Sequence, residues 1–124
     1  MKKQNHSPAD SKERKPLVYI CSPFNGDEKI NAEKARAYSR FAVDSGAIPL
    51  APHLLLPQYM KDETERDLAM LMDKVLLGKC EQLWVFGSRI TNGMAAEIRR
   101  ARKRHLIIRR FTEKCGEVKK RVRT

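Results

Sequence analysis

Leu17-Val18-Tyr19-Ile20-Cys21 runs directly into Ser22-Pro23-Phe24-Asn25-Gly26-Asp27, and Pro16 precedes it. Five apolar residues without polar alternation, bounded by turn formers, read as a short strand covered on both faces. The Ser, Pro, Asn, Gly and Asp that come next read as a polar turn leaving the strand's carboxyl end. A strand covered on both faces implies helices above and below it, so the rest of the chain should supply them.

It does, in alternation. Ala47-Ile48-Pro49-Leu50-Ala51 reads as a second strand, with Pro49 marking a strand end or a sheet edge. Gln82-Leu83-Trp84-Val85-Phe86 reads as a third and Leu106-Ile107-Ile108 as a fourth. Asn31 is a suitable N-cap for a helix over 31–45 with Ala35, Tyr38, Phe41 and Ala42 on its apolar side, and Gly46 stops it. Residues 52–59 hold two prolines, one histidine and three leucines and read as a loop. Thr64 is placed to cap a second helix over 64–79, with Leu68, Leu71, Met72, Val75 and Leu76 as its apolar face. Residues 87–93 form a polar turn and 94–103 a third helix. The segment after the fourth strand reads as a short amphipathic helix or a frayed basic tail.

The order β-α-β-α-β-α-β predicts a three-layer α/β domain of the Rossmann-like, flavodoxin-like kind, with a parallel sheet in strand order 2-1-3-4. In that order the topological switch lies between strands 1 and 3, and ligands bind in the crevice at their carboxyl ends. The turns at 22–27 and 87–93 should then face each other across it.

At 124 residues the chain fits one domain, with 41% apolar and 33% charged residues. No apolar run approaches the roughly 18 residues of a membrane span, so no membrane role is expected. Residues 1–16 are polar, without the apolar stretch of a secretory signal, and read as a flexible leader. Cys21, Cys80 and Cys115 are odd in number and without CxxC spacing, which argues against a disulfide framework or zinc site and for a reducing, cytoplasmic setting. The net charge of +11 is uneven: +3 over 1–16, −2 over 17–98 and +10 over 99–124. Basicity therefore describes the ends of the chain and not the expected crevice.

Neither GxGxxG, GxxxxGK[ST] nor Gly-x-Ser-x-Gly occurs, and the three histidines lack metal-ligand spacing. The candidates are therefore individual. Glu97 comes after the third-strand turn near the start of a helix, where Thr91, Asn92 and Gly93 present backbone N–H groups to an anion; it could equally complement the helix dipole and pair with Arg100. Tyr19 lies beside the expected crevice, with its phenol directed at a carboxylate or at the rim of the core. Asp73 is either a second carboxylate in the crevice or a solvated group. His53, between prolines, is placed to touch a ligand or to bond the backbone.

Together these residues resemble the nucleoside 2-deoxyribosyltransferase superfamily. Tyr19-Ile20-Cys21-Ser22-Pro23-Phe24 is similar to its Y-[LI]-x-x-P-[FY] strand motif, and Asn92-Gly93-Met94-Ala95-Ala96-Glu97-Ile98-Arg99-Arg100-Ala101 to its GxxxE[IL]xxA motif. The closer likeness is to uncharacterised DUF4406-type domains of bacteria and phages, in Val18-Tyr19-Ile20-Cys21-Ser22-Pro23, Ile48-Pro49-Leu50-Ala51-Pro52-His53 and Leu83-Trp84-Val85-Phe86-Gly87. The resemblance covers residues 17–111 and leaves 112–124 as a basic tail.

The resemblance implies Glu97 as a nucleophile on the anomeric carbon, Tyr19 as the group that positions it, and Asp73 as the helper of the leaving base. It implies a nucleoside or nucleotide ligand touched by Ser22, Pro23, Phe24, Asn25, Gly26, His53, Ser88, Thr91, Asn92 and Gly93. Of these, Ser22, Asn25, Gly26 and Ser88 are candidates for a 5′-phosphate. Thr91 departs from the aspartate or serine common at its position, and residues that a neighbouring subunit lends to the site have no counterpart. No cofactor or metal is needed. A homo-oligomer is expected, with Leu54-Leu55-Leu56 as an apolar stretch suited to an interface. Two rival roles are a non-catalytic nucleotide binder on the same fold and a nucleic-acid binder using the cations at 99–104 and 114–123.

Overall fold

The structure is a computed structural model that describes residues 14–119. Most of the expected leader and the last five residues of the expected basic tail lie outside them. The elements are β1 (Leu17–Cys21), α1 (Glu28–Asp44), β2 (Ile48–Leu50), α2 (Pro52–Leu55), a 3-10 turn (Leu56–Gln58), α3 (Asp62–Lys79), β3 (Gln82–Phe86), α4 (Asn92–Lys103), β4 (Ile107–Phe111) and β5 (Glu117–Val118). They form one sheet in the order β2-β1-β3-β4-β5, whose first four strands are parallel. The expected flavodoxin- or Rossmann-like α/β fold is the fold observed. Among the described residues no helix is long and apolar enough to cross a membrane.

The layers result from strand order and handedness. The crossover from β1 to β2 steps one way along the sheet, while those from β2 to β3 and β3 to β4 step the other way. Right-handed connections that step in opposite directions put their helices on opposite faces. Accordingly Tyr38 and Ala42 of α1 pack on Val18, Ile20, Trp84, Phe86 and Phe111. Leu77 of α3 and Met94, Ile98 and Ala101 of α4 pack on Tyr19, Cys21, Leu83 and Val85. Successive strand residues alternate faces, so Tyr19 and Cys21 both point to the α3–α4 side.

The α1 side is aromatic. Tyr38 stacks on Phe86 with ring centres 4.2 Å apart, and Phe86 stacks on Phe111 at 5.0 Å. Phe41 meets Trp84, Phe86 and Phe111 at tilted or edge-on angles. These rings join α1 to β3 and β4 at the end of the sheet where the loops emerge.

Several local expectations are corrected. Asp27 caps α1 by accepting from the Ile30 N–H at 3.1 Å. Asn31 lies inside the helix, and its amide donates to the carbonyls of Phe24 and Asn25 at 3.1 and 2.9 Å. Residues 52–58 are helical turns where a loop was expected, because Pro52 sits at a first helical position that needs no N–H. Within the Leu54-Leu55-Leu56 stretch, Leu56 is buried, Leu54 half-buried and only Leu55 exposed.

The third helix begins at Asp62, not at Thr64. Glu65 departs from helical geometry, and its carboxylate accepts from the Lys61 N–H at 2.8 Å. The expected inward face of α3 is also wrong. Leu68, Leu71, Met72 and Val75 are exposed, while Ala69, Asp73, Leu76 and Leu77 face the protein. A 3.6-residue period finds two stripes on such a helix but does not say which one meets the sheet.

The chain beyond β4 is neither a helix nor a frayed tail up to residue 118: it turns back, and β5 pairs antiparallel with β4. Arg109 donates twice to Glu117, at 2.9 and 2.8 Å, with its guanidinium over the rings of Trp84 and Phe111. The two arginines inside Ile107–Phe111 hid the length of this strand from a hydropathy reading.

If the stacked rings hold α1 to the sheet, Phe86→Ala should destabilise the fold by about 3–5 kcal/mol through lost burial and a residual cavity. The shift of the urea unfolding midpoint measures it.

Candidate functional site

The site is built at the carboxyl ends of β1 and β3. Tyr19 is the third residue of β1, buried on the α3–α4 side. Thr91 caps α4, its hydroxyl accepting from the Met94 N–H at 3.2 Å, so Glu97 falls in the second turn. There the Tyr19 phenol donates to Glu97 Oε2 at 2.8 Å across 78 positions of chain. Cys21, next on the same face of β1, donates weakly to the Met94 carbonyl at 3.9 Å. Of the two positions considered for Glu97, the structure takes the inward one: its hydrogen bond comes from the phenol, with the positive charge of Arg100 also nearby.

Burial dominates the electrostatics. It pushes the Glu97 carboxyl up to about 7, against the stabilising hydrogen bonds from Tyr19 and Cys21 and with the nearby charge of Asp73 adding to the rise. Asp73 rises to about 6, again through burial, partly offset by the positive charge of Arg100. Its Oδ1 is buried without a hydrogen-bond partner. The Tyr19 phenol is held far above its usual range by burial and then by the negative charges of Glu97 and Asp73. It therefore stays a donor at every physiological pH. Two half-buried carboxyls with raised proton affinities beside a fixed phenol donor form an arrangement able to exchange a proton or act as a nucleophile.

Ser22 and His53 form a second part. Ser22 Oγ lies 3.1 Å from His53 Nε2, and Phe24 meets the imidazole edge-on at 6.0 Å. Burial holds the His53 pKa down at about 4, so the ring is neutral. α2 delivers the histidine to the end of β1, joining the Pro-rich segment to the first strand's turn.

The two polar turns do face each other, as expected. Pro23, Asn25, Gly26 and Asp27 from one, and Gly87, Arg89 and Thr91 from the other, line a cleft of about 280 Å³ together with Asn31, Lys34, Tyr38, Phe86 and Glu113. Gly26 and Gly87 adopt φ values of +101° and +94°, which side-chain-bearing residues rarely take. Tyr38 and Phe86 place this cleft on the α1 side of the sheet. Glu97, Tyr19 and Asp73 are not among its lining residues, nor are Ser22, Phe24, His53, Ser88, Asn92 and Gly93. Ser88, Asn92 and Gly93 are exposed near the start of α4. The expected site residues thus divide into cleft residues on the α1 side, the carboxyls with Tyr19 on the α3–α4 side, and the separate cluster of Ser22, His53 and Phe24, with Ser88, Asn92 and Gly93 in none of them.

Sequence reasoning missed Lys34, Arg89 and Glu113. Lys34 lies 3.6 Å from Glu113. Its position three residues after Asn31 was the available signal once Asn31 belonged to the helix. Among the described residues, no group of three His, Cys, Asp or Glu side chains is placed to hold a metal ion.

A family model described as a domain of unknown function, DUF7768, matches residues 16–111. The chain belongs to the DUF7768 family. Its match covers β1 through β4, with Tyr19, Asp73, Glu97 and all of the cleft lining except Glu113. No curated protein matches the chain.

The raised carboxyl makes a signed prediction. The unfolded chain releases the Glu97 proton near the ordinary glutamate value and the folded chain only near 7, so stability falls as pH rises between the two and levels off above. Glu97→Gln keeps an acceptor for Tyr19 without this loss. It should match the parent near pH 4.5 and exceed it by about 1–3 kcal/mol at pH 8, as measured by urea unfolding at both pH values.

Proposed function

We propose that this domain cleaves or transfers the N-glycosidic bond of a nucleoside or nucleotide, with Glu97 as nucleophile, in the manner of the nucleoside 2-deoxyribosyltransferases that its motifs resemble. The observation that carries the reading is the 2.8 Å hydrogen bond from Tyr19 to a carboxyl kept out of water on α4. That donor holds one oxygen of Glu97 and leaves the other to approach a sugar.

In the proposed reaction, ionised Glu97 attacks C1′ of the sugar. The C1′–N bond breaks as the C1′–O bond forms, and the electron pair of the broken bond leaves with the base. Asp73 gives that base a proton. A base seated over Asp73 would remove more of its water and raise its proton affinity further, and the unpartnered Oδ1 suits a ligand donor. Water, or a second base, then attacks C1′ and releases Glu97. Tyr19 stays protonated and positions the carboxylate. Lys34 and Arg89, beside the Asn25-Gly26 turn, suit the phosphate of a nucleotide reaching into the cleft.

A second reading, a binder without turnover, is favoured by one observation: the cleft and the carboxyl pair lie on different sides of the sheet. The test is incubation with deoxynucleosides and their monophosphates across pH 5–9, with released base followed by chromatography. Base release should follow a bell-shaped pH profile, rising as Glu97 ionises near 7 and falling at higher pH as Asp73 loses the proton it gives the base. It should be lost almost completely in Glu97→Ala and fall by about 10²–10⁴-fold in Asp73→Asn. Ligand binding without base release, unchanged in Glu97→Ala, would establish the binder instead.

A further inference from the structure

Helix α3 presents two faces, and only one is used by the fold. Leu68, Leu71, Met72 and Val75 lie at the spacing of a single stripe and are 45%, 56%, 36% and 52% exposed. These are four large apolar side chains on consecutive turns, opposite the face that carries Asp73 and Leu77. Such a stripe is costly in water and is the pattern of a helix that packs on another helix.

The charges beside the stripe identify the occupant. Asp67 and Lys74 are seven residues apart, two helical turns, and so lie on the same flank of the stripe. Both are exposed, and among the described residues neither has an ion-pair partner. The midpoint between them falls beside Leu71, and so does the centre of the stripe. If a second α3 is laid antiparallel across the first about that point, Asp67 of each copy comes opposite Lys74 of the other, twice. Leu71 meets its own copy at the centre, and Leu68 lies near Val75. In a parallel two-fold pairing these flanks fall on opposite sides of the seam and do not meet, so only the antiparallel arrangement brings Asp67 to Lys74. A self-complementary patch of this kind is what a two-fold dimer interface requires.

We infer that α3 is the interface of a homodimer of this chain, with two α3 helices antiparallel about a two-fold axis at Leu71 and cross-paired through Asp67 and Lys74. The interface lies on α3 itself and not on the Leu54-Leu55-Leu56 stretch. It braces from outside the helix whose inner face carries Asp73, and it stands independently of the proposed glycosidic chemistry.

The full chain, run through light-scattering-coupled size exclusion and sedimentation velocity at about 100 µM, tests this. The expected mass is twice the 14.3 kDa of one chain. Leu71→Glu opposes two carboxylates at the axis and should give a monomer with unchanged far-ultraviolet dichroism, since the parent leucine is exposed. Asp67→Lys should raise the dimer dissociation constant at least tenfold, and Asp67→Lys combined with Lys74→Asp should restore it to within about threefold of the parent. A monomeric parent would overturn the inference. So would a Leu71→Glu variant that stays dimeric, or a charge swap that fails to rescue the single variant.

Discussion

A carboxyl group has been taken out of water at the end of a parallel sheet and given a single strong donor. Tyr19 reaches Glu97 because β1 and α4, far apart in the chain, are brought to one side of the sheet by the strand order and the direction of the crossovers. Burial raises the Glu97 proton affinity, while the phenol and the Cys21 thiol work against it, leaving a group that titrates near neutrality. With Asp73 nearby and similarly raised, this part of the molecule carries a cost in stability that a purely structural core would avoid. Sites that give up stability in this way are where chemistry is usually found.

The strand order was legible because each strand is a short apolar run ended by turn formers, and alternation with helices leaves few topologies. The same reading placed residues 22–27 and 87–93 on opposite sides of one cleft. Helix ends were less legible: Asp27, four residues before Asn31, captured α1 because its carboxylate reaches the free N–H of Ile30. The orientation of α3 was not legible at all. Leu68, Leu71, Met72 and Val75 form the stronger apolar stripe, yet the weaker stripe of Ala69, Asp73, Leu76 and Leu77 faces the protein. A monomer's sequence does not distinguish a stripe meant for its own sheet from one meant for another helix.

The candidate site was legible in part. Glu97, Tyr19 and Asp73 could be named from their motif positions, but the distance between Tyr19 and Glu97 depends on a fold of which sequence spacing says nothing. That Asn25, Gly26 and Thr91 line a cleft on the α1 side, while the carboxyls lie on the other, comes from residue parity along β1 and β3 and could not be read before the strand register was known. The β5 return was hidden because Arg109 looks like a surface residue, although its guanidinium covers Trp84 and Phe111 while bonding Glu117. An arginine that stacks on rings and pairs with a carboxylate at once covers apolar surface while keeping its charge satisfied.

All of the proposed chemistry rests on a half-buried Glu97 carboxyl whose proton affinity is raised and which is held by Tyr19. Carbon-13 nuclear magnetic resonance of the side-chain carboxyl, assigned with Glu97→Gln and followed across pH 4–9, measures this directly. The expected midpoint lies near 7 and moves higher in Tyr19→Phe, because that change removes a donor to the anion. A midpoint near 4.5, unmoved by the loss of the phenol, would contradict it.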